Sequence, residues 1–207
     1  MAGNAENVGG WGVSRARLTA WAAVVALILL VPLIAMQFTE EVKWTAFDFV
    51  LMGALIFGTG LTYELVARQG GTIAYRVAVG VACATGFILF WINAAVGIIG
   101  DGPVNLMYLG VLAVGFVGAL IARFGARGMA LALFATAIAQ MTVLAIALVI
   151  WKAGWHDLLI DPNAPHGPFD PGITPVFALN AVFAMLWVVS GLLFRRAALG
   201  STERRAA

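Results

Sequence analysis

The sequence predicts an all-α membrane protein, a bundle of six transmembrane helices. Only 11% of the residues are charged and 62% are hydrophobic, whereas a soluble domain carries about 25% charged residues. The apolar residues form continuous runs of roughly twenty, long enough to cross a hydrocarbon core of about 30 Å, whereas barrel strands would alternate over about ten residues. Because lipid cannot hydrogen-bond to the backbone, these runs are expected to be helices.

Each of the six apolar runs gives one predicted helix, and the fourth is only just long enough to cross. The predicted helices cover residues 18–38, 46–67, 77–99, 106–122, 129–151 and 176–194, within a transmembrane domain of residues 15–196. A flexible N-terminal tail (1–14) is expected before this domain and a cytoplasmic tail (197–207) after it. The long connection is an outer loop over residues 152–174.

The basic residues predict the orientation of the bundle. In the six-helix arrangement the two lysines lie on one side and all the arginines flank the other: Arg15, Arg17, Arg68, Arg76, Arg123, Arg127, Arg195, Arg196, Arg204 and Arg205. Because cytoplasmic loops carry the excess of basic residues, both termini are expected in the cytoplasm. The basic rim also predicts contact with anionic lipid, and not with nucleic acid.

A weak internal repeat links the second and fourth predicted helices. Two glycines follow an aspartate or asparagine at the same spacing, as Asp48, Gly53, Gly58 and as Asn105, Gly110, Gly115. Duplicated helical hairpins would explain the match, and parallel repeats occur in transporters. Chance matching in segments rich in glycine and alanine would explain it as well.

Small residues in the same two helices predict close helix packing, because association in lipid relies on van der Waals contact between backbones. Tight packing within one bundle, a face for homo-oligomers and a conduit lined by backbone are the three interpretations. The residues concerned are Gly53, Ala54, Gly58, Gly60, Gly110, Gly115, Gly118, Ala119 and Ala122.

Asp48 lies one turn into the second predicted helix and three residues after Thr45. This spacing predicts a capping box, in which the carboxylate accepts from backbone N–H groups at the positive end of the helix dipole. The alternative is an outward-facing binding role, because an ionisable residue in a membrane helix is a functional candidate by default.

Glu64 is the deepest acidic residue on the predicted inner side. Arg68 follows it by one helical turn, and Arg76 and Arg123 are expected on the same rim. Pairing with one of these arginines would keep the carboxylate ionised and would lock the second helix to the rim. The alternative is a relay for protons or cations.

Three neutral amides lie inside predicted helices: Asn93, Gln140 and Asn180. Hydrogen bonding between helices is one expectation for all three, at about 0.6 kcal/mol each. A second expectation comes from the predicted depth of the polar residues in the membrane. The outer third of four helices contains Asp48, Asn93, Asn105 and Asn180. If these faces converge they line a polar vestibule open to the outside, with Gln140 at mid-membrane.

Enzymatic and metal chemistry find little support in the sequence. It contains no nucleophile elbow, zinc-protease motif, phosphate loop or dinucleotide fingerprint, so no enzyme activity and no cofactor are expected. The outer loop carries potential ligands, but their spacing matches no zinc signature and no metal site is expected. These residues are His156, Asp157, Asp161, His166 and Asp170.

Two segments, Met36–Gly70 and Ile92–Phe124, resemble a group of small multi-helix bacterial membrane proteins with no established activity. The resemblance covers about a third of the chain and implies a bacterial inner (plasma) membrane location. It transfers no site residue.

Two functions are compatible with these patterns. The first is a non-enzymatic helix-packing or accessory membrane protein that associates with itself or with a membrane partner protein, because glycine faces are plentiful and chemistry is scarce. The second is a small permease or channel for an ion, proton or small solute, with the outer polar residues at its mouth.

Overall fold

The computed structural model describes residues 15–95, 97–99, 103–152 and 173–206. Within this part of the chain six helices are long and apolar enough to cross a membrane, which confirms the predicted all-helical architecture. We number them α1 (Arg15–Phe38), α2 (Ala46–Ala67), α3 (Ile73–Ala95), α4 (Met107–Ile121), α5 (Ala126–Lys152) and α6 (Ile173–Ala206), with a short 3₁₀ turn at Pro103–Leu106. The predicted tail 1–14 and almost all of the outer loop lie outside the described residues.

The third helix starts and ends one turn earlier than the predicted span 77–99. Thr72 caps its first turn, since its hydroxyl accepts a hydrogen bond from the Tyr75 amide at 3.2 Å. The helix ends before Gly97, whose φ of 67° is a left-handed conformation that glycine adopts easily. The prediction was wrong because it followed hydropathy, which misses the polar first turn and extends through the isoleucines after Gly97.

The last helix does not end at Phe194, as the apolar run predicted, but continues to Ala206. Residues 195–206 contain four arginines and a glutamate, which ends the apolar run, yet alanine, arginine, leucine and glutamate are good helix formers and no proline interrupts them. Hydropathy therefore locates the end of the apolar span and not the end of the helix. The segment 197–206, predicted as a tail, is helical.

The chain forms two compact units, Met1–Leu65 and Val66–Ala207. In the first unit α1 and α2 meet along successive turns. Arg17 pairs with Glu64, and a Cβ added at Gly60 would lie 2.5 Å from the Trp21 ring. The glycine therefore provides the space in which this tryptophan packs.

In the second unit α6 packs against α3 and α5, and α5 also packs against α4. The buried positions of α6 follow the i, i+3, i+4, i+7 spacing of a helix with one packed face. They are Asn180, Phe183, Ala184, Trp187, Ser190, Gly191, Phe194, Ala197 and Ala198. The hydroxyl of Ser190 donates to the Ala78 carbonyl of α3 at 2.7 Å, which joins the two helices by a hydrogen bond.

Small residues allow α4 to lie close to α5. A Cβ added at Gly118 would lie 2.7 Å from the Ala132 Cβ, and one at Gly115 would lie 3.1 Å from the Thr136 hydroxyl. Packing within the protein is therefore confirmed for these glycines, as it is for Gly60 in the first unit. By contrast, a Cβ at Gly58 or Gly110 would have no neighbouring atom within 4 Å.

The turn between α4 and α5 contains two residues in the left-handed region, Arg123 (φ 48°) and Phe124 (φ 59°). Residues other than glycine adopt this backbone conformation at a cost of about 1–2 kcal/mol. A contact from α3 holds the turn in place, because the Tyr75 hydroxyl donates to the Phe124 carbonyl at 2.6 Å. The Tyr75 ring also packs edge-on against Phe194, with centroids 5.0 Å apart.

Replacing Arg123 by glycine is expected to stabilise the protein by about 0.5–1 kcal/mol, because glycine adopts a positive φ without strain. Thermal unfolding in detergent measures the change. Arg76→Gly is the matched control, since Arg76 is an exposed arginine in helical backbone and should lose up to about 1 kcal/mol. A lower melting temperature for Arg123→Gly would indicate instead that the guanidinium makes a stabilising contact.

Candidate functional site

A cluster of three polar side chains is buried between α4, α5 and α6. The Gln140 amide nitrogen donates to the Asn180 Oδ1 at 2.8 Å. The Asn180 Nδ2 donates to the Tyr108 hydroxyl at 2.9 Å and to the Val176 carbonyl at 2.8 Å. All three side chains are completely inaccessible, so the cluster is a hydrogen-bonded contact inside the second unit.

The position of each member follows from its helix. Gln140 lies on the packed face of α5, one turn after Thr136, whose own hydroxyl donates to the Ala132 carbonyl at 2.8 Å. Asn180 belongs to the buried face of α6, and Tyr108 is the second residue of α4. Burying these amides is tolerable because each finds a partner, as polar groups in a membrane interior require.

All three amides, Asn93, Gln140 and Asn180, were predicted to hydrogen-bond between helices, and the structure confirms this for Gln140 and Asn180. Tyr108 was missed. An aromatic residue near a helix end is usually interpreted as an interface anchor. Its position three residues after Asn105 and inside a glycine-rich helix was the available signal that it faces protein.

Some buried polar atoms have no hydrogen-bond partner among the residues that the structure describes. They are the Gln140 Oε1, the Asn93 Oδ1 and the Trp187 Nε1. Buried groups of this kind are uncommon and call for an explanation. Amides and phenols are neutral at ordinary pH, so chemically the cluster can pin helices together or recognise a small polar molecule.

Asn93 and Asn105 form a second contact, at the connection between α3 and α4. The Asn93 Nδ2 donates to the Asn105 carbonyl at 3.1 Å. The Asn105 Oδ1 accepts from the backbone amides of Ile98 and Ile99 at 2.9 and 3.0 Å. The Asn105 side chain thus fixes the loop before α4 by hydrogen bonds, and Asn93 links the end of α3 to this loop.

Asp48 forms the predicted capping box with Thr45. The Asp48 carboxylate accepts from the Thr45 amide at 2.7 Å and from the Thr45 hydroxyl at 2.8 Å. The Thr45 hydroxyl in turn accepts from the Asp48 amide at 3.4 Å. The capping role is confirmed. Because Asp48 belongs to the first unit and Asn93, Asn105 and Asn180 to the second, a vestibule formed by all four stays a prediction.

Glu64 pairs with Arg17 of α1, an arginine that the sequence had linked only to orientation. The helix begins at Arg15 and not at Leu18, so Arg17 is already helical and runs beside α2. Arg68, Arg76 and Arg123 belong to the second unit, and pairing of Glu64 with any of them stays a prediction, as does the relay.

Breaking the Arg17–Glu64 pair is expected to lower stability by about 0.5–1 kcal/mol, because 58% of the Arg17 side chain and 15% of the Glu64 side chain are exposed. Thermal unfolding of Arg17→Gln, Glu64→Gln and the double variant forms a double-mutant cycle. The double variant should lose less than the sum of the two single losses. Additive losses would contradict the pair, and a fully stable Glu64→Gln protein that loses a pH-dependent flux would support the relay.

A metal site is not seen in the part of the chain that the structure describes, where three ligating side chains nowhere come together. The outer-loop residues considered as ligands lie outside the described residues. They are His156, Asp157, Asp161, His166 and Asp170. The prediction about this loop therefore stays untested.

These features define a multi-pass membrane protein with a hydrogen-bonded contact in the interior of its larger unit. Comparison with known proteins adds no family or function, since no protein-family model, no curated protein and no solved structure matches the chain. The resemblance of Met36–Gly70 and Ile92–Phe124 to small bacterial membrane proteins stays a prediction.

Proposed function

We propose that the chain is a non-enzymatic membrane protein that acts by packing with itself or with a membrane partner protein. The observation that carries the proposal is the filled interior of the second unit. Asn180, Trp187 and Phe194 succeed one another every two turns along α6, and none is more than 4% exposed. A helix with a buried face that extends from Asn180 to Ala198 supports a structural role.

The outer surface supports association. A Cβ added at Gly58 on α2 or at Gly110 on α4 would meet no atom within 4 Å. Other glycines of the same two helices, such as Gly60 and Gly118, instead contact a neighbouring helix. Glycine at a lipid-facing position contributes little surface to lipid but allows another helix to approach closely. In the proposed function these two positions lie in the association faces.

Cysteine crosslinking in native membranes tests this proposal. The background is Cys83→Ala, since Cys83 is the natural cysteine of the chain, and single cysteines replace Gly58 or Gly110. A bifunctional reagent should link these positions to a second copy or to a partner protein. The matched control is Thr142→Cys, an exposed site on α5, which should give no product. Equal crosslinking at all three positions would contradict specific association.

The proposed setting is a bacterial inner membrane with both termini in the cytoplasm. The distribution of arginine and lysine supports this orientation. Reporter fusions at the C-terminus and within residues 160–170 test it. An active cytoplasmic reporter at the C-terminus and an active periplasmic reporter in the loop are expected, and the opposite pattern would contradict the orientation.

A permease or channel is the second candidate, and one observation favours it. The Gln140 Oε1 is a buried hydrogen-bond acceptor at the middle of α5 that has no partner among the described residues and lies beside two other polar side chains. A small polar solute that crosses the membrane could use such an acceptor. Flux of protons and simple cations into proteoliposomes, abolished by Gln140→Leu but unaffected by Thr142→Val, would support this candidate over the first.

A further inference from the structure

A groove lies between the start of α5 and the last part of α6, with a volume of about 490 Å³. Two arginines line it, Arg127 from α5 and Arg195 from α6. Its remaining wall is apolar and includes Leu131, Phe134 and Leu199. A groove that combines two fixed positive charges with an apolar wall fits a ligand that has both an anionic and a hydrocarbon part.

The described residues do not neutralise the charge of this groove. Among the described residues, neither Arg127 nor Arg195 has an acidic partner. Arg127 is also the second residue of α5, where the helix dipole adds a partial positive charge. Guanidinium groups bind phosphate oxygens in a forked geometry and remain charged at any ordinary pH.

The apolar wall is accessible from the surface of the second unit. The side chain of Leu131 is 70% exposed and that of Leu199 is 61% exposed. Phe134 fixes the register of the two helices, since a Cβ at Gly191 would lie 2.9 Å from its ring. Arg195 follows Gly191 by one turn, so the arginines lie toward the ends of the spans and Phe134 lies deeper.

We propose that this groove binds an anionic phospholipid, with the phosphate between Arg127 and Arg195 and an acyl chain along Leu131 and Phe134. A second groove, of about 390 Å³, shares Arg195 and Leu199 and adds Arg196 and apolar residues of α6. Arg195 thus stands between two apolar surfaces, which the two chains of one lipid would cover. A soluble phosphate compound would leave both surfaces bare.

Native mass spectrometry of the purified full chain in a neutral detergent tests the site, with phosphatidylglycerol and phosphatidylcholine as probes. The wild-type protein should retain phosphatidylglycerol and release phosphatidylcholine. Arg127→Gln and Arg195→Gln should each weaken phosphatidylglycerol binding about fivefold, the factor that corresponds to one surface arginine beside an anionic lipid. Arg76→Gln is the control, since Arg76 is an exposed rim arginine that does not line the groove, and it should bind like the wild type.

Equal weakening by all three substitutions, or equal binding of the two lipids, would overturn the proposal. Displacement of the lipid by millimolar glycerol phosphate would also overturn it, because the headgroup alone would then account for binding. A photoreactive phosphatidylglycerol on the wild-type protein gives a test that needs no variant. Labelled peptides should fall within residues 127–134 and 195–199, and labelling elsewhere would exclude this groove.

Discussion

Asn180→Leu is expected to lower the free energy of unfolding by about 2 kcal/mol, because it leaves the Tyr108 hydroxyl and the Gln140 amide nitrogen without their shared partner. An unsatisfied buried group costs about 1–3 kcal/mol, and the lower part of that range applies because polar groups also find partners in the unfolded state within a membrane. Thermal unfolding in detergent should show a loss of about 4–8 °C. All three side chains are fully buried, so water cannot replace the missing contacts.

The control for this prediction removes the whole cluster. In the triple variant Tyr108→Phe, Gln140→Leu, Asn180→Leu no polar group remains to be satisfied, and replacing every partner by an apolar group is nearly neutral. The triple variant should therefore be more stable than Asn180→Leu alone. If its loss equals or exceeds the sum of the single losses, the cluster does not act as one hydrogen-bonded unit.

Gly118→Ala is expected to lower stability by about 2 kcal/mol, because the new Cβ would lie 2.7 Å from the Ala132 Cβ and 3.3 Å from its Cα. Overpacking of this kind typically costs about 1–3 kcal/mol. The neighbour is backbone and a methyl group, so α4 and α5 must move apart to relieve the contact. Thermal unfolding of the purified protein measures the loss.

Gly200→Ala is the matched control, since Gly200 is helical, lies outside the proposed association faces, and its added Cβ would meet no atom within 4 Å. Alanine also favours helix more than glycine does, so the melting temperature should stay the same or rise slightly. If the two variants lose stability equally, the loss comes from glycine in the helix backbone and not from contact between α4 and α5.

Hydropathy predicted the six helices because the membrane demands long apolar segments whatever they pack against. It could not predict which side of each helix faces protein, since lipid is as apolar as a packed interior. In α5 the signal lay in two polar residues four apart, Thr136 and Gln140, both of which are fully buried. In α6 it lay in the seven-residue spacing of Asn180, Trp187 and Phe194.

Contacts between residues of different helices were harder to predict than the positions of the helices along the sequence. The sequence placed Gln140 and Asn180 at different depths, yet in the structure the Gln140 amide nitrogen lies 2.8 Å from the Asn180 Oδ1. Arg17 was assigned only a topological role because hydropathy started the first helix at Leu18, while the helix begins at Arg15. One extra turn of helix is what places Arg17 beside Glu64.

The mass of the protein extracted from cells into polymer nanodiscs, without detergent, tests the central claim most directly. Native mass spectrometry of these particles should give an assembly larger than one 21.8 kDa chain, composed of further copies or of a partner protein. Gly58→Ile with Gly110→Ile should reduce it to the single chain with lipid. A wild-type protein that is a single chain in these particles would contradict association as the function and would leave the permease as the better account.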